Sequence, residues 1–342
     1  MEVSIVGLDL AKHVFQLHGA DARGRPVLRR KLRRTQMLRF FQALPPCRVA
    51  MEAGASAHHW ARELRALGHA PVLIPPQFVR PFVKTNKSDA ADAEAIVEAA
   101  LRPTMRFAAV KSAEQQSVLT LHRARELLVR QRTMLINAIR SLCGEFGLTV
   151  AQGAPNACKL VAIIRDIDDP RLPDLGRTAL KTLADHLDGL TVRIAEIEQR
   201  IGIWHRSQAA SRRLAAVPGI GPITASAIVA SVGEAAPFRS ARQFAAWLGL
   251  VPQQRSSGGK ERLGSISKRG DGYLRRLLIH GARVVLRWRR ARPGTQSAWL
   301  QKLLERRHVN VVTVAMANKM ARVVWALLTR GETYRQGTLS AA

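Results

Sequence analysis

The chain has 342 residues, with 54 lysines and arginines against 25 aspartates and glutamates, so its formal net charge is +29. Its length indicates about two domains, and a hydrophobic content of 47% excludes a disordered basic tail. Because such an excess of one charge disfavours the compact state unless a polyanion neutralises it, the composition predicts a folded protein that binds DNA or RNA. An anionic membrane surface is the weaker alternative.

Three features predict the compartment. The first six residues lack the basic region of a signal peptide, and no apolar run reaches the roughly 18 residues that a membrane span needs. The cysteines Cys47, Cys143 and Cys158 are widely separated, which argues against a disulfide framework and against a zinc site. We therefore expect a cytoplasmic, DNA-associated protein without a membrane partner.

Strand-like and helix-like segments share the first 112 residues. Three short strands come first, and strands then alternate with helices, which predicts a mixed α/β sheet domain over residues 1–112. Predicted strands cover residues 3–8, 14–18, 24–33, 48–51 and 71–74, and predicted helices cover 35–44 and 58–67 and begin near residue 77 and after residue 88.

The middle part, residues 113–208, is predicted to be helical, with a helix over 112–142 and a loose connector over the Gly- and Pro-containing segment 144–173. An unbroken spacing of three and four residues then predicts a coiled coil over about residues 178–206, either between protomers or as a long antiparallel pair. The alternative is one amphipathic helix of a bundle within the monomer. The apolar seam consists of Leu180, Leu183, Leu187, Leu190, Ile194, Ile197, Ile201 and Trp204.

The last part of the chain differs in charge from the rest. Residues 206–342 carry 24 lysines and arginines but five acids, so 19 of the 29 net positive charges lie there. This shift predicts a separate, strongly basic and mostly helical domain over residues 209–342.

Four carboxylates of the first domain stand at positions that suit chemistry. Asp9 and Glu52 each follow an apolar strand, and Asp89 and Asp92 share one face at the start of a helix that Ser88 is placed to cap. Each acid alone is more often structural, as a turn cap or a partner of the helix dipole. Together they form an oxygen-rich set that one sheet edge can gather. Such sets bind Mg²⁺, with Mn²⁺ as a substitute, and two ions roughly 3.5–4 Å apart suit phosphodiester cleavage.

These residues also carry a family resemblance. The segments Gly-Leu-Asp-Leu-Ala-Lys at 7–12, Met-Glu-Ala-Gly at 51–54 and Asn-Lys-Ser-Asp-Ala-Ala-Asp-Ala at 86–93 resemble the DEDD transposases of insertion-sequence family one-ten. Residues 216–222 and 242–252 are similar to the C-terminal transposase domain of that family, and residues 58–60 and 74–77 resemble its eleven-eleven branch. The resemblance covers nearly the whole chain and implies an RNase H-like, RuvC-like fold for the first domain.

Two glycines precede a predicted helix at 223–231. Gly219 and Gly221 make a tight turn whose backbone N–H groups are placed to hold a phosphate at the helix start, as in a helix-hairpin-helix element. A plain turn between helices is the alternative, and the basic surroundings favour the DNA-backbone element.

The polar segment 253–260 reads as an ordinary surface loop from its composition. The resemblance implies instead that Ser257, followed by Gly258, is a nucleophilic serine, with Ser256 as the competing candidate. Such a serine needs activation by a base or by neighbouring cations. Candidate cations for the transition state and for nucleic-acid contact are Arg255, Lys260, Arg262 and Lys268, and Arg275 and Arg276 begin a basic helical stripe further on.

The resemblance implies a transposase that cuts and exchanges DNA strands. The four acids would bind Mg²⁺, Ser257 would be joined covalently to DNA, and a non-coding guide (bridge) RNA would pair with donor and target DNA, as in guided nucleases. It also implies a homodimer that assembles to a tetramer, and a relation to the pilin-gene inversion recombinase. Two alternatives stay open. A RuvC-like Holliday-junction endonuclease would use the acids alone, and a nucleic-acid-binding scaffold would need none of the five residues.

Overall fold

A computed structural model describes residues 2–84, 88–233, 238–292 and 297–335. The chain divides into two compact units, Met1–Gln116 and Ser117–Ala342. The further division of the second unit at residue 208 stays a prediction.

The first unit is built on a five-stranded mixed sheet, which confirms the α/β prediction. Its spatial order is β3-β2-β1-β4-β5, with β1, β4 and β5 parallel and β2 and β3 antiparallel to their neighbours. This arrangement is compatible with the RNase H-like fold that the resemblance implies. The strands are β1 (Ile5–Leu10), β2 (Val14–Ala20), β3 (Pro26–Arg33), β4 (Arg48–Glu52) and β5 (Ala70–Ile74).

Helices cover both faces of this sheet because its central strands are apolar on both sides. Met51 and Leu8 belong to one buried cluster, whereas Ile5 and Ala50 belong to the other. The first cluster lies under α1 (Met37–Ala43) and α2 (Ala57–Ala66), and the second lies under α3 (Pro76–Val79) and α4 (Asp89–Ala100).

The second unit is mostly helical. It contains α5 (Ala113–Gly144), which begins just before the boundary, together with α6 (Ala154–Arg165), α7 (Asp174–Ser207), α8 (Ala209–Ala215), α9 (Pro222–Val232), α10 (Ala241–Trp247), α11 (Gly272–Arg290), α12 (Ala298–Arg306) and α13 (Val309–Arg330). The loose connector predicted over 144–173 is wrong in its central part. There α6 begins with Pro155 in its first turn, a position that proline tolerates.

The apolar seam of α7 is an internal packing surface. Leu180, Leu190 and Ile201 are at most 2% exposed, and Leu187 and Ile194 are also buried in the single chain. Leu180 and Leu187 pack in one cluster with α5 and α6, and Arg125 of α5 contacts Glu198 of α7 with an N–O distance of 2.6 Å. This burial favours the alternative of a bundle within the monomer, and a coiled coil between protomers is not supported.

The basic end of the chain forms a second core from α8 to α13. Helix α13 is long and apolar enough to cross a membrane by length and composition alone, contrary to the expectation that no apolar segment reaches that length. However, more than half of its most apolar segment is buried, and Val312, Ala317 and Val324 are wholly buried in this core. The helix therefore packs as a core helix of the unit.

Candidate functional site

Asp9 and Glu52 lie at the carboxyl ends of neighbouring parallel strands. The β1–β4 register pairs Gly7 with Ala50 and Leu8 with Met51, so the next positions place Asp9 beside Glu52. Because side chains alternate along a strand, Asp9 shares the sheet face of Gly7 and Glu52 shares that of Ala50. Both are half-buried. This face is the one that α4 covers.

Helix α4 crosses β1 at Gly7. A Cβ on Gly7 would lie 2.3 Å from the carbonyl oxygen of Ala93, so only glycine allows the helix to approach the strand this closely. At the other end of α4, Leu101 lines the same surface cavity as Val3 and Ile5. The helix therefore runs antiparallel to β1, with its first turn beside the carboxyl end of the strand.

Asp89 and Asp92 lie in that first turn. The Ser88 hydroxyl accepts a hydrogen bond from the Ala91 amide at 3.3 Å, which confirms the predicted cap. Backbone placement thus brings the four predicted acids to one edge and one face of the sheet. Carboxylates are the ligands that Mg²⁺ prefers, so the donor set fits the expected ion. Among the residues that the structure describes, no three acidic, histidine or cysteine side chains lie close enough together to hold a metal ion.

A network of ion pairs beside these acids was missed by the sequence reasoning. The Lys84 ammonium lies 3.1 Å from Glu94 and 3.6 Å from Glu98, and Arg29 of β3 approaches Glu94 at 4.0 Å. The hydrogen bond from Lys84 lowers the pKa of Glu94, and burial lowers the pKa of His18, which lies beneath the same helix. The sequence signal for this network is the four-residue spacing of Glu94 and Glu98, which places both on one helical face, together with the basic residues of β3.

The predicted loop around Ser257 is a β-hairpin. Strands β6 (Pro252–Gln254) and β7 (Leu263–Ile266) pair antiparallel, and the Lys260 amide donates to the Ser257 carbonyl at 3.1 Å. Gly258 and Gly259 both have positive φ, 55° and 75°, as a two-residue hairpin turn requires. The Gly-Gly pair was the sequence signal for this turn.

The two candidate serines differ in their contacts. The Ser256 hydroxyl accepts a hydrogen bond from the Arg262 amide at 3.1 Å, across the hairpin. The Ser257 side chain is exposed at the start of the turn and makes no hydrogen bond to any residue that the structure describes. Ser256 thus holds the hairpin together, whereas the Ser257 hydroxyl is available to a ligand.

The base of the hairpin is held by close backbone contacts. A Cβ on Gly270 would lie 1.8 Å from the Trp247 carbonyl oxygen, and one on Gly249 would lie 2.2 Å from that of Arg269. The Arg275 guanidinium donates to the carbonyls of Leu248 at 2.9 Å and Arg269 at 3.3 Å. Arg275, predicted to contact nucleic acid, therefore has a structural role that the sequence did not show.

The other predicted cations differ in how they are engaged. Arg276 is paired with Glu126 of α5. The hairpin cations are exposed, and Lys268 has a positive φ of 53° where the chain leaves β7. These exposed side chains are Arg255, Lys260, Arg262 and Lys268.

The predicted helix-hairpin-helix glycines have separate roles. A Cβ on Gly219, whose φ is +86°, would lie 2.7 Å from the carbonyl oxygen of Gly281, so the turn and α11 cross backbone to backbone. Gly221 caps α9 and has open space around it. Its surroundings leave the start of α9 accessible to a phosphate.

A buried histidine ties three helices of this unit together. The ring nitrogens of His122 lie 3.1 Å from the Tyr273 hydroxyl and 3.1 Å from the Ser226 hydroxyl. His122 is 1% exposed, and burial lowers its pKa to about 4. Tyr273 stands in the first turn of α11, directly after the hairpin, so this network anchors the helix that the hairpin leads into.

Comparisons with known proteins show which family the chain belongs to. Residues 6–146 match the model of the DEDD transposases of the IS110 type, and residues 211–297 match that of the transposase IS116/IS110/IS902 family. A probable family 20 transposase of Pseudomonas aeruginosa is 56% identical over 98% of this chain and all of its own length. The transposase for insertion sequence element IS1111A of Coxiella burnetii is 43% identical over 98% of this chain and 92% of its own length.

A third relative, the transposase for insertion sequence element IS1328 of Yersinia enterocolitica, is 41% identical over 97% of this chain and 98% of its own length. The family models together span both units, and the relatives match nearly end to end. The chain belongs to the IS110/IS116/IS902 family of transposases.

Proposed function

We propose that this transposase cleaves and transfers DNA strands through a covalent phosphoserine bond to Ser257, with the acids Asp9, Glu52, Asp89 and Asp92 as the Mg²⁺ site. The contrast between the two neighbouring serines carries the proposal, because the Ser256 hydroxyl is bonded within the hairpin and the Ser257 hydroxyl is not. Membership in a transposase family makes DNA the substrate.

In the proposed step, the Ser257 oxygen attacks a backbone phosphorus and forms a new P–O bond. The P–O bond to one deoxyribose oxygen breaks, that oxygen takes up a proton from solvent and leaves as the hydroxyl of the strand end, and the serine proton passes to a base or to solvent. Arg255, Lys260 and Arg262 are exposed on the same hairpin and would stabilise the charge that develops on the phosphate. Asp9, Glu52, Asp89 and Asp92 would hold Mg²⁺, which when bound supplies Lewis-acid stabilisation of charged phosphate oxygens. Attack by the hydroxyl of a different strand on the phosphoserine phosphorus then forms a new P–O bond, breaks the P–O bond to Ser257, returns a proton to the serine oxygen and completes the transfer.

We further propose, from the resemblance, that a non-coding RNA guides the protein to donor and target DNA and that dimers assemble to tetramers. The concentration of 19 net charges after residue 205 supports more than one polyanionic ligand. Co-purification of the protein with an RNA transcribed from a non-coding segment beside its gene would support guidance by RNA. Purified protein that exchanges strands at full rate without RNA would contradict it.

The central experiment traps the protein on a DNA substrate, digests the DNA and locates the nucleotide remnant by mass spectrometry. We expect the remnant on Ser257, none in Ser257→Ala, and adduct retained in the matched control Ser256→Ala. A remnant on Ser256 would overturn the assignment.

The same experiment separates the alternatives. Cleavage by Ser257→Ala with a free phosphate end and no adduct would indicate the RuvC-like endonuclease, which uses water. Binding without cleavage in the wild type under every tested divalent metal would favour the scaffold.

A further inference from the structure

Helix α11 has a charge pattern that the proposed cleavage does not use. Between Gly272 and Arg290 it contains six arginines and no acid. Its apolar side, with Leu274, Leu278 and Val285, is buried in the core of the unit. From His280 onward the opposite side carries exposed residues, among them Arg283 and Arg287.

One row on this solvent side contains two arginines. His280, Arg283 and Arg287 are exposed and follow one another at spacings of three and four residues, as one helical face requires. In the described part of the chain, neither Arg283 nor Arg287 has an acidic partner. Unpaired arginines at this spacing suit a row of phosphates.

A second row beside it is apolar. Val284 is 66% exposed and Trp288, one turn further on, is 50% exposed. The Arg292 guanidinium lies 4.4 Å from the centroid of the Trp288 ring, so a cation covers one face of the indole. This contact restricts the tryptophan, while half of its surface stays open to solvent.

We propose that this face of α11 binds an unpaired DNA strand, with phosphates on Arg283 and Arg287 and a base stacked on Trp288. Parallel rows of cations and aromatic surface suit a single strand, whose phosphates and bases are both accessible. A duplex keeps its bases stacked inside and cannot offer one to the indole. DNA is the occupant because it is the substrate of the transposase family. This binding goes beyond the cleavage proposed above, which does not require it.

The proposed binding face lies on the helix that follows the serine hairpin. Trp288 is eight residues beyond His280, which corresponds to about 12 Å along a helix, enough for a short stretch of strand. Helix α11 begins directly after the hairpin that carries Ser257. A strand held along α11 would be kept apart from its complement within the same unit as the nucleophile.

The test measures binding by the full chain with the Ser257→Ala substitution, so that no cleavage or adduct contributes. Fluorescence anisotropy follows a labelled single-stranded DNA of 12 nucleotides, the same strand in a duplex, and the RNA of the same sequence. We expect Trp288→Ala to weaken single-stranded DNA binding about 10-fold, Trp288→Phe to retain most of it, and duplex affinity to change less than about 2-fold.

A charge-matched pair of double variants tests the cationic row. We expect Arg283→Gln with Arg287→Gln to lower the salt slope of single-strand binding by about 1.4. Arg307→Gln with Arg330→Gln removes the same charge from other exposed positions and should leave that slope close to the parent value. Equal changes in the salt slope for the two double variants would show that DNA responds to the overall positive charge and not to this face, and would overturn the proposal.

Four further outcomes would overturn it. Trp288→Ala could leave single-stranded DNA binding unchanged, or weaken the duplex equally. RNA alone could show the dependence on Trp288, which would assign the face to RNA. A changed molecular mass with unchanged DNA binding would assign it to a protein interface. None of these depends on the adduct assay, so a failure here is distinct from a failure of the Ser257 assignment.

Discussion

The acidic edge of the sheet and the serine hairpin are built in opposite ways. Asp9 and Glu52 follow wholly buried strand residues, and α4 is pressed onto β1 at Gly7, so strands and a helix of one core position the acids. Ser257 lies at the exposed tip of a two-stranded hairpin that is anchored at its base. A metal site needs several ligands in a set geometry. A nucleophile that attacks the DNA backbone must instead lie at an exposed position that the phosphate can contact. The rigid sheet thus fixes the positions of the proposed metal ligands, and the exposed hairpin makes the proposed nucleophile accessible to DNA.

The largest effect is expected at the acidic edge. Asp9→Asn keeps the size of the side chain but removes a negative charge from the proposed metal site. We expect strand cleavage to fall by about 10²–10³ and the rise in melting temperature on adding Mg²⁺ to be mostly lost, because metal binding stabilises the folded state. A normal cleavage rate would show that the four-acid site is assigned wrongly.

Replacing a glycine at the base of the hairpin should lower the free energy of unfolding far more than replacing one at its tip. In Gly270→Ala, the new Cβ would clash with the Trp247 carbonyl at a residue whose φ is +81°, so we expect a loss of about 3 kcal/mol in the free energy of unfolding. The control Gly258→Ala also has positive φ but open space around it, and should cost about 1 kcal/mol. Urea unfolding measures both, and equal losses would contradict the anchored-base description.

The network beneath α11 should make stability depend on pH. The pKa of His122 is about 4 when folded and 6.5 ordinarily, so the unfolded state binds more protons between these values. Its contribution is therefore complete above pH 6.5 and is lost as the pH falls towards 4, by up to about 3 kcal/mol.

His122→Gln should cost about 1–3 kcal/mol at pH 7, because Ser226 and Tyr273 lose a buried partner. It should also flatten the pH dependence between 6.5 and 4. His280→Gln, at an exposed position on α11, is the control and should leave the curve unchanged. Parallel curves for His122→Gln and the wild type would refute the role of His122.

The smallest effect is expected for the ion pairs beside the acids. Lys84 is 63% exposed and Glu94 is 35% exposed, so solvent screens their attraction. Lys84→Met should therefore cost less than about 1 kcal/mol, and the difference from wild type should vanish at high salt. A larger loss, unaffected by salt, would show that Lys84 acts in the packing of α4.

Much of the first unit could be predicted from the sequence because its signals are local. Apolar strands ending in Asp9 and Glu52, and the Ser88 cap before Asp89, each show in a few consecutive residues, and parallel strand ends meet at one edge. The apolar seam of α7 was equally visible. Its partner was not, since a heptad pattern records which side of a helix is buried and not whether its own chain or another covers it.

The sequence by itself determined the mixed sheet, the strand-end positions of the acids and the basic helical character of the rest. Only the tertiary structure decided which serine hydroxyl is bonded, that Arg275 holds the carbonyls of Leu248 and Arg269, and that Gly219 meets Gly281 across 62 residues. The physical reason is that these depend on which backbone atoms of distant segments come within contact distance. Local propensity and side-chain periodicity carry no record of that proximity.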